Sequence, residues 1–115
     1  MKVSELEGAE LDYWVAKGMQ LYNINALIDK DGKKITCFYG AVDRKIFAPS
    51  TDPSQGWPII ERIGGFELKI WLESGPDTRC EAHIHNYDIN CIYFGPTSLI
   101  AAMRAYVASK FGDEV

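Results

Sequence analysis

The sequence predicts an α+β domain: an antiparallel sheet of about five strands built from hairpins, packed by an N-terminal and a C-terminal helix. Three observations lead there. A chain of 115 residues suits one core, since two would each fall below the usual size of an independently folding unit. Two stretches alternate apolar and polar residues across strong turn sequences, and apolar residues at helical spacing recur only near the two ends.

Composition narrows the class further. Hydrophobic residues make up 47% and charged ones 24%, an ordinary globular balance, so the whole of 1–115 reads as a single domain. No stretch approaches the roughly 20 apolar residues that span a bilayer. The opening MKVSELEGAELDYW lacks the apolar centre and cleavage site of a secretory signal, so the chain is expected to stay where it is made. Cys37, Cys80 and Cys91 are odd in number and widely spaced, which predicts free, mostly buried thiols in a reducing compartment. The net charge of −4, with no basic run beyond Lys33–Lys34 and Arg44–Lys45, disfavours general nucleic-acid binding.

Taken in order, Ser4 and Glu7 have capping-box spacing, and Leu11, Trp14 and Val15 share a helical face with Gly18. A helix is therefore expected over about 5–17, ended by Gly18 in a left-handed conformation. Within 20–28, Tyr22, Ile24, Ala26 and Ile28 fall in one phase, as do Ile35, Cys37 and Tyr39 within 34–40. Asp29-Lys30-Asp31-Gly32 between them is hairpin chemistry, the glycine accepting positive φ. In the second hairpin Phe66, Leu68, Ile70 and Leu72 alternate with Glu67, Lys69, Trp71 and Glu73. Ser74-Gly75-Pro76-Asp77 turns the chain, and Cys80, Ala82 and Ile84 then alternate with Glu81, His83 and His85. After Asn86-Tyr87-Asp88 the run INCIYF supplies a fifth strand.

Gly95-Pro96-Thr97 breaks that strand and caps a final helix from about Ser98 to Phe111. Leu99, Ile100, Met103, Tyr106 and Val107 form its main apolar stripe, yet Ala101, Ala105 and Ala108 occupy the other side, and Arg104 is its only charge before Lys110. A helix with so little polar surface needs cover on more than one side. Homodimerisation through this helix is one way to supply it.

Chemistry has two candidate locations. The stretch 47–58 carries three prolines and a glycine, and reads as a long irregular loop of the kind that often bears function. Ser50, Thr51, Asp52 and Gln55 can bind a ligand or satisfy the loop's own backbone, and Trp57 can stack on a partner or pin the loop. The second location is Glu81, His83 and His85, which share one strand face and are the ligand types of a facial-triad metal site. A solvated polar face collects the same residues. No serine-hydrolase elbow, phosphate loop or dinucleotide motif is present, so no catalytic residue and no cofactor is assigned.

Three windows carry a resemblance. Leu11-Asp-Tyr-Trp-Val-Ala-Lys17, then Pro49-Ser-Thr-Asp52 with Gln55-Gly56 and Pro58-Ile-Ile-Glu-Arg62, and finally Gly95-Pro-Thr97 with Leu99 to Val115, resemble the NinX family of phage proteins in order. Pro53, Trp57 and Ser98 depart from that family's pattern, which has an aromatic residue, a glycine and a proline there. The resemblance implies a phage or prophage accessory protein of the bacterial cytoplasm and transfers no catalytic residue. With no catalytic constellation, the leading expectation is binding of a host or phage protein through the 49–58 loop together with Asp12, Trp14 and Arg104 on the terminal helices. A metal-dependent enzyme on the Glu81/His83/His85 face and a nucleic-acid accessory factor using Lys33, Lys34, Arg44 and Lys45 are the alternatives. Asp12, Arg104 and Glu61 have an equally good reading as buried partners of the loop backbone.

Overall fold

The α+β class holds in the computed structural model, which describes residues 1–86 and 88–115, but the strands divide between two sheets and a third helix intervenes. After a 3₁₀ turn at Val3–Glu5 come α1 (Gly8–Gly18), β1 (Asn25–Ile28), β2 (Lys34–Tyr39), β3 (Lys45–Ile46) and α2 (Pro53–Arg62). They are followed by β4 (Phe66–Ile70), β5 (Cys80–His85), β6 (Asn90–Gly95) and α3 (Ser98–Phe111). Each sheet is three-stranded and antiparallel, in the orders β1-β2-β3 and β4-β5-β6.

The layers run sheet, helix, helix, sheet: β2 packs on α1, α1 on α3, and α3 on β5 and β6. Four layers at about 10 Å spacing account for the longest dimension of 40 Å. The second hairpin buries its inner face on α3, whereas the first packs on α1 with only Cys37 of its strands buried and leaves Leu27, Ile28, Ile35 and Ile46 exposed. In the second sheet Phe66 pairs with Ile84, Leu68 with Ala82 and Ile70 with Cys80, so the alternation read from the sequence sets the register. Cys80, Ala82 and Ile84 are buried, whereas Ile70 and Leu72 run out past the helix and stand 66% and 96% exposed.

α3 explains the layering. Thr97 Oγ1 caps it by accepting from the Ile100 N–H at 3.1 Å, and every residue from Ala101 to Val107 is buried. Its alanines let α1 approach on one side and the second sheet on the other. Cover on more than one side of α3 comes from α1 and the second sheet of the same chain.

Three local expectations need correction. Ser4 and Glu7 form no capping box; the chain makes a 3₁₀ turn that buries Val3 and Leu6, and Glu7 precedes α1 without a side-chain cap. Gly18 is not left-handed, and the reversals fall instead at Gln20 (φ 58°) and Asn23 (φ 53°), which delays β1 to Asn25 and leaves Tyr22 exposed. Gly18 serves close approach: a Cβ there would lie 3.0 Å from the Tyr106 ring. The stretch 47–58 is not one irregular loop, because α2 starts at Pro53. In the connection between β5 and β6, Asn86 Oδ1 accepts from the Asp88 and Ile89 N–H groups, while Tyr87 lies outside the described residues.

Candidate functional site

The segment leading into α2 is held by its own polar side chains. Asp52 caps the helix, its Oδ1 accepting from the Ser54 N–H at 3.0 Å and the Ser54 hydroxyl at 2.8 Å, with Pro53 in the first turn where no N–H is needed. Gln55 Oε1 accepts from the Ala48 N–H at 2.8 Å, and its Nε2 donates to the Ile46 carbonyl at 3.2 Å. The Thr51 hydroxyl reaches the Ala48 carbonyl at 3.5 Å. From α1, buried Asp12 accepts from the Ser50 N–H at 2.9 Å. Burial pushes the Asp12 carboxyl up to about 6, against the lowering influence of Ser50. The Ser50 hydroxyl sits beside that carboxylate without completing a hydrogen bond among the described residues. Of the loop residues singled out by sequence, Ser50, Thr51, Asp52 and Gln55 all have polar groups engaged within the chain.

Arg104 is likewise internal. It is 3% exposed, and its Nε and Nη1 donate to the Leu6 and Phe94 carbonyls, each at 2.8 Å. Desolvation lowers its pKa, with Asp77 and Glu7 acting in the opposite sense. The guanidinium fastens the 3₁₀ turn and β6 to α3. Trp14 is half-buried and meets Tyr13 and Phe111 edge to face, both with ring centroids 5.6 Å away. Trp57, on α2, is 42% exposed, and Glu61 is exposed.

The Glu81, His83 and His85 side chains do share the outer face of β5, but they do not form a ligand set. His83 Nε2 is hydrogen-bonded to Asn90 Oδ1 at 2.7 Å, and the two imidazole centroids stand 5.6 Å apart and tilted. Among the described residues no group of three or more His, Cys, Asp or Glu converges as a metal cage. Cys37, Cys80 and Cys91 are free thiols; burial pushes Cys37 up to about 11 and raises Cys91 as well, away from nucleophilic character. The basic pairs do not merge either. Lys34 opens β2 and is engaged by Glu10 at 3.2 Å, whereas Lys45 pairs with Tyr39 at the strand's other end, roughly 17 Å away at strand rise.

Of the surface depressions among the described residues, two lie in series along α2, and a separate one of about 490 Å³ lies between Glu7–Ala9 and the turn before β2. The two along α2, of about 320 and 370 Å³, share Met19, Ile59 and Arg62 and so form one groove. One end is walled by Gly18, Ile63, Tyr106 and Lys110, the other by Tyr39, Lys45, Phe47, Gln55 and Pro58. It joins the 47–58 segment to the C-terminal ends of both α1 and α3. Its floor is apolar, its charges are Lys45, Arg62 and Lys110, and none of the described lining residues is acidic. Sequence reasoning did not single out this set, because its members come from five elements and connections far apart in the chain. A signal for α2 was present: Asp52-Pro53 has the N-cap and first-turn pattern, and Ile59, Ile60 and Ile63 follow at helical spacing.

These features define a small α+β protein with a helical centre between two hairpin sheets and a basic, apolar-floored groove at one side. The chain belongs to the NinX family of bacteriophage P22, whose sequence profile matches residues 2–110. The match runs through the strand segments as well as the first two windows and the third as far as Lys110. No curated protein matches the chain. Among the described residues no helix is long and apolar enough to cross a membrane.

Proposed function

We propose that this chain is a phage accessory protein that acts in the bacterial cytoplasm by binding a host or phage protein, without catalysis, through the groove along α2. The observation that carries this reading is the contrast in availability of polar groups. Around the groove, Lys45, Arg62 and Lys110 have no ion-pair partner among the described residues, while the Asp12, Asp52 and Gln55 side chains at the preceding turn are engaged internally. An apolar floor with a few convergent polar groups is the usual make-up of a binding site. Ile59, Arg62, Tyr106 and Lys110 also lie in the windows that first resembled the family.

The test is affinity capture from phage-infected cells with the wild type and with an Arg62→Glu/Lys110→Glu double variant, followed by mass spectrometry. Both side chains are exposed, so the variant is expected to keep the wild-type melting temperature. A partner retained by the wild type and lost from the variant is the expected result. Identical partner sets would overturn the reading.

A further inference from the structure

We infer that the groove along α2 receives an acidic peptide segment bearing apolar side chains; this deepens the proposed function and rests on it. The charge pattern is the first reason. Acidic residues outnumber basic ones in the chain, 16 to 12, yet the groove's charged residues are Lys45, Arg62 and Lys110. The single ion pair among the described residues, Lys34 with Glu10, lies elsewhere, so none of the three groove cations is in direct contact with a carboxylate of the described chain. Arg62 lines both depressions, and its planar fork is suited to a carboxylate that crosses from one to the other.

The floor supplies the second reason. Met19 and Ile59 line both depressions together with Arg62, and an adaptable thioether beside an aliphatic wall suits an inserted apolar side chain. A small free anion would use the charge and leave this floor wet. Two depressions in series along a helix about 15 Å long call for an elongated ligand. Single-stranded nucleic acid is elongated and anionic, but it is held by bases stacked on open aromatic faces. Of the three lining aromatics, Phe47 and Tyr106 are each 6% exposed and Tyr39 is half-buried edge to face against Phe47, so the groove offers no run of open faces for successive bases. An acidic segment with aliphatic or aromatic anchors meets both requirements.

The test uses a displayed library of short random peptides, selected on the intact wild-type chain and counter-selected on Arg62→Glu, with the strongest isolate measured by fluorescence anisotropy. The expected outcome is enrichment of peptides that combine Asp or Glu with Leu, Ile, Phe or Trp. The isolate's affinity should fall at least tenfold on Arg62→Glu, and at least tenfold when its carboxylates are replaced by Gln and Asn. Amide shifts should move at Met19, Ile59 and Ile63. Enrichment of neutral or basic peptides, the absence of Arg62-dependent enrichment, or displacement of the isolate by inorganic phosphate or oligo-dT would overturn the inference. Failure of the underlying reading looks different. There, capture from infected cells is itself indifferent to Arg62→Glu/Lys110→Glu. If that capture is sensitive but the captured partner is not competed by the acidic isolate, only the acidic-peptide inference falls.

Discussion

The two sides of α2 use polar side chains differently. On the side of the lead-in segment, Asp52, Gln55 and the incoming Asp12 each accept a backbone N–H. On the groove side, Arg62, with Lys45 and Lys110 across from it, touches no carboxylate of the described chain. A buried polar group left without its partner costs about 1–3 kcal/mol, whereas an exposed cation removed from water's edge costs the fold almost nothing. Substitutions on the first side should therefore read out as stability, and those on the second as binding.

The largest expected effect is at Arg104, which serves the same internal economy from α3. Arg104→Ala leaves the Leu6 and Phe94 carbonyls without donors and is expected to cost about 4 kcal/mol in urea denaturation, with Arg104→Lys recovering only part of it. Next comes Asp12. Its carboxyl, raised from 3.8 to about 6, holds a proton in the folded state that the unfolded chain has already released. The stability contribution is therefore complete below about pH 4 and lost as pH rises through about 6, amounting to at most about 3 kcal/mol. Asp12→Asn keeps an acceptor for the Ser50 N–H and should flatten that decline, while Asp12→Ala should lower stability on the acid side, where the native carboxyl is already neutral.

Gly56→Ala is expected to cost about 2 kcal/mol, since a Cβ there would meet the Pro49 carbonyl oxygen at 2.5 Å and Leu99 Cδ2 at 2.6 Å. Arg62→Glu sits at the other end of the scale, with a stability change within about 0.5 kcal/mol by thermal melting despite loss of partner capture. A large loss of stability at Arg62, or none at Asp12 and Gly56, would erase the distinction between the two sides.

That distinction also marks how far sequence reasoning reached. The second hairpin and the bounds of α3 were legible because alternation and a capping threonine are local signals, recorded within a few residues. The division into two sheets was not, since a hairpin's apolar face does not name the helix it will meet. α2 was hidden by composition: Pro53, Gly56 and Pro58 read as irregular backbone, although Pro53 occupies a first-turn position and Gly56 is the point of closest approach to Pro49. The groove was least legible of all. Met19, Arg62 and Lys110 are individually ordinary, and only the packing of α1, α2 and α3 brings them together. Of Asp12, Arg104 and Glu61, read as buried partners of the loop backbone, only Asp12 meets that loop; Arg104 is buried but holds the Leu6 and Phe94 carbonyls, and Glu61 is exposed.

The place of α3 has a consequence for how the protein is made. Both sheets and α1 precede it in the order of synthesis, yet α3, which packs on α1 and on the second sheet, emerges after all of them. Until Ser98–Phe111 is available, the inner faces of β5 and β6 have no helix to close over them, and Leu6 lacks the donor on Arg104. The nascent chain should thus acquire protease resistance in one late step, rather than hairpin by hairpin.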